Sequence, residues 1–309
     1  MKVSAAILFL LLPSLVLASL REGDAQIRGQ AGDSEIVITT TSRLAGAIDS
    51  LTWNGREFIN STDHGRQLQS ACSFDNTPSA PAETFNPTEA GSRDDSIGTN
   101  TTSRLLEIKT NKNRLRTKTR MAFWLAPGER SEDRLARNTN ALSAYVLAKD
   151  VKIGFGRWPQ TLDYRVTFNL PKRAHHVSAQ FEALTGYMPS EFSQFWEFNP
   201  QSGKLQPLSP GPGEIMNPVV LATPDGKFAM GIYSPPPKSA DTVGPSYGRW
   251  NFTNEQVVKW NCVFRVGNAK GLTSGYYQYR LLVPVGTLAQ VETMLREWLA
   301  IDMAKLRRS

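Results

Sequence analysis

Apolar and polar residues alternate along most of this chain with the two-residue period of a β-strand. Across residues 162–170, Leu162, Tyr164, Val166 and Phe168 alternate with polar neighbours, the signature of a strand with one face in a core. Residues 36–40 form a β-branched run, and residues 105–108, 115–119, 142–147, 177–184, 219–222, 228–233, 257–266 and 276–285 carry further strand patterns. Turn chemistry joins several of them. Asn54-Gly55 suits the positive φ angles of a type I′ hairpin between residues 47–53 and 58–59. Asn111-Lys112-Asn113 and Pro224-Asp225-Gly226 predict two more hairpins.

Three stretches break the alternation. Residues 127–140 are polar and predict a loop, or a short helix around 132–136. Residues 188–218 carry repeated proline and glycine, which predicts a long surface excursion of the kind that often binds ligands. Near the end the period changes to that of a helix. Leu288, Val291, Leu295, Trp298 and Leu299 form an apolar stripe, preceded by Thr287 with Gln290 three residues on, a capping-box pattern. About ten strands and one terminal helix predict an all-β fold, a mostly antiparallel β-sandwich, with residues 34–309 as a single domain.

The ends read differently. Residues 1–18 combine Lys2, an apolar run over 5–16 and the small-residue site Val16-Leu17-Ala18, the pattern of a secretory signal peptide. The apolar run is too short to span a bilayer, so the expected location is secreted or periplasmic, off the membrane after cleavage. Residues 19–33 are polar and predict a flexible segment.

Composition narrows the class. With 40% hydrophobic and 20% charged residues, the chain is globular rather than disordered or fibrous. The formal charge of +7 favours acidic partners, such as anionic polysaccharide. The basic residues are scattered, and residues 109–120 alternate charge with other types as an exposed strand face does. Cys72 and Cys262 are the only cysteines; an exported chain permits them to bridge or to stay as thiols, and two cannot build a usual zinc site.

Two stretches resemble a known family. Leu44-Ala45-Gly46-Ala47-Ile48-Asp49-Ser50-Leu51, followed by Asn54-Gly55-Arg56-Glu57-Phe58, is similar to the opening hairpin of the galactose mutarotase-like β-supersandwich proteins. Tyr279-Arg280-Leu281-Leu282-Val283-Pro284-Val285-Gly286-Thr287-Leu288 is similar to their closing strand and helix. The resemblance implies carbohydrate as ligand, and a role as epimerase, lyase domain, glycosidase domain or non-catalytic sugar binder. The chain departs from true aldose 1-epimerases: their His-Pro motif is absent, since His64 precedes Gly65, His175 precedes His176 and His176 precedes Val177. Their C-terminal catalytic glutamate has no counterpart either.

Candidate chemistry concentrates between residues 46 and 95. Asp63-His64-Gly65-Arg66-Gln67 brings together an imidazole, a guanidinium and an amide, groups that shuttle protons and make paired hydrogen bonds to hydroxyls or a uronate. Asn86-Pro87-Thr88-Glu89 with Arg93 offers a carboxylate as general acid or base and a clamp beside it. His64, Glu89 and Arg93 are thus the catalytic candidates, with Arg66, Gln67 and Asn86 as substrate contacts. His176 and Glu182 share strand parity and can line one face. Tyr187, Trp196 and Tyr247 are candidate stacking platforms, and Lys259 shares a face with Asn261. No metal site, cofactor or nucleic-acid partner is expected, because no phosphate loop, nucleophile elbow or metal-spaced cysteine set occurs. The expectation is a secreted carbohydrate-binding enzyme (a lyase or glycosidase ahead of an epimerase) acting on a poly- or oligosaccharide, with a non-catalytic glycan-binding or cell-envelope protein as the alternative and acidic polysaccharide among the candidate partners.

Overall fold

The computed structural model describes residues 22–237 and 239–306, with side chains through Asp302. The signal peptide expected at residues 1–18 falls outside the described residues. The principal strands are β1 (Ala25–Ala31), β2 (Ser34–Thr40), β3 (Ile48–Trp53), β4 (Leu68–Phe74), β5 (Arg104–Asn111), β6 (Arg114–Phe123), β7 (Leu142–Phe155), β8 (Trp158–Leu170), β9 (Ser178–Pro189), β10 (Thr242–Phe252), β11 (Val257–Gly267) and β12 (Gly275–Gly286), before helix α1 (Leu288–Leu306). The strands pair antiparallel throughout and form two layers. One runs β5-β6-β7-β8-β12. The other runs β1-β2-β3-β4-β9-β11-β10. This is the all-β sandwich that the alternation predicts.

Aromatic contacts join the inner faces. Phe168 of β8 lies 4.9 Å from Phe181 of β9, and Phe264 of β11 stacks 4.2 Å from Tyr279 of β12. These rings, with Ile36, Ile38, Leu51, Leu147 and Val151, belong to one dry core. Each side chain of this size contributes about 1.5–3 kcal/mol by leaving water. Cys72 and Cys262 are buried there as free thiols.

The hairpins form as their turn residues dictate. Asn54 and Gly55 take φ of 49° and 73°, the left-handed values a type I′ turn needs. Thr287 and Gln290 cap α1 reciprocally, at 3.3 and 2.8 Å, and Val291, Leu295 and Trp298 bury its apolar stripe against Val220, Tyr233 and Leu282. No helix among the described residues is long and apolar enough to cross a membrane.

Three expectations need correction. Residues 25–31 do not fray: β1 pairs with β2 through seven residue pairs and buries Ile27 and Ala31. Two apolar side chains on one face suffice to tie down a polar-looking segment. The excursion at 188–218 is not all loop: it holds the short strands Gln194–Asn199, Lys204–Pro207 and Gly213–Ile215. Its prolines fall at strand ends and turns, where a missing N–H costs little. Residues 130–135 form a two-stranded hairpin rather than a helix, with Glu132 and Asp133 both at positive φ.

Candidate functional site

The outward face of β9, β11 and β10 builds a recess of polar and aromatic groups. Tyr187, Lys259 and Trp250 stand opposite one another across the three strands, so all three project from one face. The Lys259 ammonium lies 5.0 Å from the Tyr187 ring centre and 4.7 Å from the Trp250 ring centre. In the next row Thr185 faces Asn261, which faces Gly248. The Glu182 carboxylate accepts from Thr185 Oγ1 at 2.8 Å and Asn261 Nδ2 at 3.3 Å, and sits 3.7 Å from Lys259 Nζ.

A bulge makes this constellation possible. Glu182 and Tyr187 are five residues apart, which in a regular strand puts them on opposite faces. Between Glu182 and Leu184 the register shifts against both neighbouring strands, and the extra residue turns Tyr187 to the face of Glu182. Such re-aiming is what bulges do beside functional sites. Gly248 is the second local requirement: a Cβ there would lie 2.3 Å from the Trp250 indole, so only glycine lets the ring lie over the strand.

The recess is half-shielded, with the side chains of Lys259 and Glu182 at 14% and 22% exposure. Burial alone would raise the pKa of Glu182, but Lys259, Thr185 and Asn261 together hold it below the usual carboxylate value. For Lys259 burial pulls downward, and Tyr187 and Glu182 more than offset it, lifting the ammonium above its ordinary value. Both groups are therefore charged at neutral pH. At the rim Arg66 pairs with Asp63 at 3.0 Å and donates to the Glu255 carbonyl at 3.3 Å, in the turn that joins β10 to β11.

The remaining sequence candidates do not join this site. The His64 and Glu89 loops meet, with Gly91 against the His64 ring and Ala90 N donating to Gln69 Oε1 at 3.0 Å, but inside the protein. His64 is 1% exposed, and its ring nitrogens face the Ser96 and Arg43 carbonyls at 2.7 and 2.9 Å. Glu89 is fully buried against Lys149 at 2.5 Å and accepts from Ser70 N at 3.2 Å. Neither reaches solvent, so neither can serve as a catalytic group here. Arg93 points away from Glu89 and pairs with Glu129 at 2.5 Å. Gln67 is buried and donates to Ser61 Oγ at 3.0 Å, and the Asn86 carbonyl accepts from Trp124 N.

His176 stacks on Phe74 and bonds to Asp75 at 2.6 Å and to Tyr145, which places it apart from Glu182 despite their shared parity. Trp196 packs beside the helix cluster. Tyr247 is 1% exposed, with its hydroxyl accepting from Ser234 N at 3.0 Å. Of the proposed contacts, then, Glu182 and Tyr187 come together around Lys259, and Arg66 contacts the turn that joins β10 to β11. Sequence reasoning passed over Trp250 in favour of Tyr247. The signal that distinguishes them is register, since Trp250 stands opposite Lys259. Among the described residues no cluster of histidine, cysteine and carboxylates fits a metal ion.

No protein-family profile and no curated protein matches the chain. Solved structures do show likeness. A provisionally assigned aldose 1-epimerase from Escherichia coli K12 is 11% identical, with a TM-score of 0.43 over 86% of this chain and 100% of that one. An α-galactosidase from Lactobacillus brevis is 11% identical, with a TM-score of 0.42 over 87% of this chain and 40% of that one. An α-mannosidase from Enterococcus faecalis V583 is 12% identical, with a TM-score of 0.45 over 85% of this chain and 30% of that one. These are proteins of the kind the galactose mutarotase-like resemblance names. At TM-scores below 0.5 they carry no argument about what this chain does.

Proposed function

We propose that this protein binds carbohydrate, holding a glycan at the Lys259 recess without breaking a bond. The observation that carries the reading is an ammonium set between two aromatic rings, with a carboxylate and a carboxamide in the same recess. A sugar presents neighbouring hydroxyls, each a donor and an acceptor. Glu182 accepts, Lys259 donates, and Asn261 fixes the carboxylate between them. The rings of Tyr187 and Trp250 keep water off these bonds, which strengthens them, and offer apolar edges to the C–H faces of a sugar.

Binding is better supported than lyase or glycosidase chemistry. A general acid or base works best with a pKa near the operating pH, whereas Glu182 is pushed down and Lys259 up. Both shifts favour the charged forms of Glu182 and Lys259 at neutral pH.

A glycan array followed by calorimetry on its hits tests this. Trp250→Ala and Lys259→Met are each expected to weaken the best hit about tenfold or more, on the order of 1.4 kcal/mol. The glycan is expected to be recovered intact after incubation. If both variants bind like the wild type, the recess is not the site. If cleaved product accumulates, the non-catalytic reading fails.

A further inference from the structure

The net charge of the molecule gathers on the outer face of the other layer. In antiparallel strands, residues directly opposite share a face. Strand β6 presents Arg114, Arg116, Lys118 and Arg120 at every second position. Arg104 and Lys109 of β5 stand opposite Arg120 and Arg116. Lys152 of β7, Arg165 of β8 and Arg280 of β12 extend the same face. Nine basic residues stand there against three acids, Glu107, Asp150 and Asp163, an excess of six in a chain whose formal charge is +7.

Two aspartates brace four of the arginines. Asp150 accepts from Arg114 Nε at 2.6 Å and Arg116 Nε at 3.2 Å. Asp163 accepts from Arg280 Nε at 2.7 Å and Arg165 Nη2 at 3.1 Å. Each trio keeps one net positive charge, and a guanidinium has five donors, more than one carboxylate can use. The braced row Arg116–Asp150–Arg165–Arg280 runs across the strands beside an uncharged stretch, Ala148–Thr167–Gln278, continuing from Lys118. This face floors a groove of about 1870 Å³, rimmed by residues 234–237, 239, 241, 242, 267, 268 and 272–274.

We propose that this groove binds an acidic polysaccharide, carboxylated or sulfated, laid across β6, β7, β8 and β12. The inference stands on a different surface from the Lys259 recess and does not depend on it. The pattern fits a ligand that spaces its anions between hydroxyls: the braced arginines take the anions, and Thr167 and Gln278 take the hydroxyls. Duplex nucleic acid, with one charge per roughly 1.7 Å, would bring phosphates against Asp150 and Asp163. Single strands need several aromatic platforms, and Tyr276 is the aromatic residue this face exposes, at 73%. A bilayer is flat, and the rim loops stand above the floor.

Calorimetry with polygalacturonate, dextran sulfate and uncharged dextran tests the proposal on the whole protein. One or both polyanions are expected to bind, dextran is not, and affinity is expected to fall between about 50 and 200 mM salt. The preferred polyanion identifies carboxylate or sulfate as the anion read. Lys118→Glu/Arg120→Glu, at two exposed positions, is expected to weaken binding at least about tenfold, while Arg93→Ala, outside both surfaces, leaves it unchanged. Equal binding of dextran, wild-type affinity in the charge-reversed variant, or stronger binding of a single-stranded oligonucleotide or of phosphatidylglycerol vesicles would overturn it.

Discussion

Two of the glutamate–lysine pairs in this sandwich are shielded from water, and they have opposite fates. Glu89 and Lys149 lie between the layers with both side chains fully sealed, 2.5 Å apart. Glu182 and Lys259 lie on an outer face, 3.7 Å apart and partly open. Burial outweighs Glu89 in its effect on Lys149 and lowers the pKa of that ammonium. At Lys259 the neighbouring groups outweigh burial and raise it. The lesson is that the same two residue types make an internal brace where water cannot reach and a pair accessible to a ligand where it can.

Breaking the pairs separates them most strongly. Lys149→Met strands a buried carboxylate, and urea denaturation is expected to show a loss of about 3–5 kcal/mol. Lys259→Met leaves Glu182 its bonds to Thr185 and Asn261 and some access to water, so the expected loss is about 1 kcal/mol. Replacing Glu89 and Lys149 together by methionine is expected to restore most of the loss, because no charge is then left alone. A double variant as unstable as Lys149→Met would show that packing, not charge, holds that region.

Alkaline pH sharpens the contrast by a smaller amount. An unfolded lysine titrates near roughly 10.4. Lys149 is lowered in the folded protein, so between its folded pKa and that value the unfolded chain binds more protons and stability rises with pH. For Lys259 the folded value is raised, so its contribution is intact below roughly 10.4 and is lost only above it. Just below roughly pH 10.4, removing both Glu89 and Lys149 is expected to reduce the upward slope by at most about 1.4 kcal/mol per pH unit. Lys259→Met is expected to run parallel to the wild type. Identical slopes in all three proteins would refute the assigned directions.

The smallest effect is expected at Arg93, the guanidinium once paired with Glu89 on sequence grounds. Its bond to Glu129 is on the surface, so Arg93→Ala should shift stability by no more than about 1 kcal/mol. It should leave glycan affinity untouched.

Much of the fold was legible because its signals are local. Alternation in residues 162–170, the Asn54-Gly55 turn and the Thr287–Gln290 cap each depend on a few neighbouring residues. The site was legible only in part. His64 and Glu89 have the chemistry of catalysis, but access depends on what packs above them, and that is not encoded nearby. Glu182 and Tyr187 were both singled out, yet strict parity would have separated them. The bulge that unites them follows from register against two other strands. The basic face was hidden for a related reason: nine residues scattered over some 180 positions become neighbours only when five strands align.

The indole of Trp250, set 4.7 Å from an ammonium, has a practical consequence. Trp260 and Trp298 are sealed in the core, so their emission should be indifferent to anything that docks outside. Trp250 is partly exposed and looks onto a charge that an arriving molecule must displace or screen. The protein thus carries its own optical probe: Trp124, Trp158 and Trp196 are partly exposed as well, so a change in tryptophan fluorescence on titration that a Trp250→Phe variant lacks would report occupancy of that spot without any label.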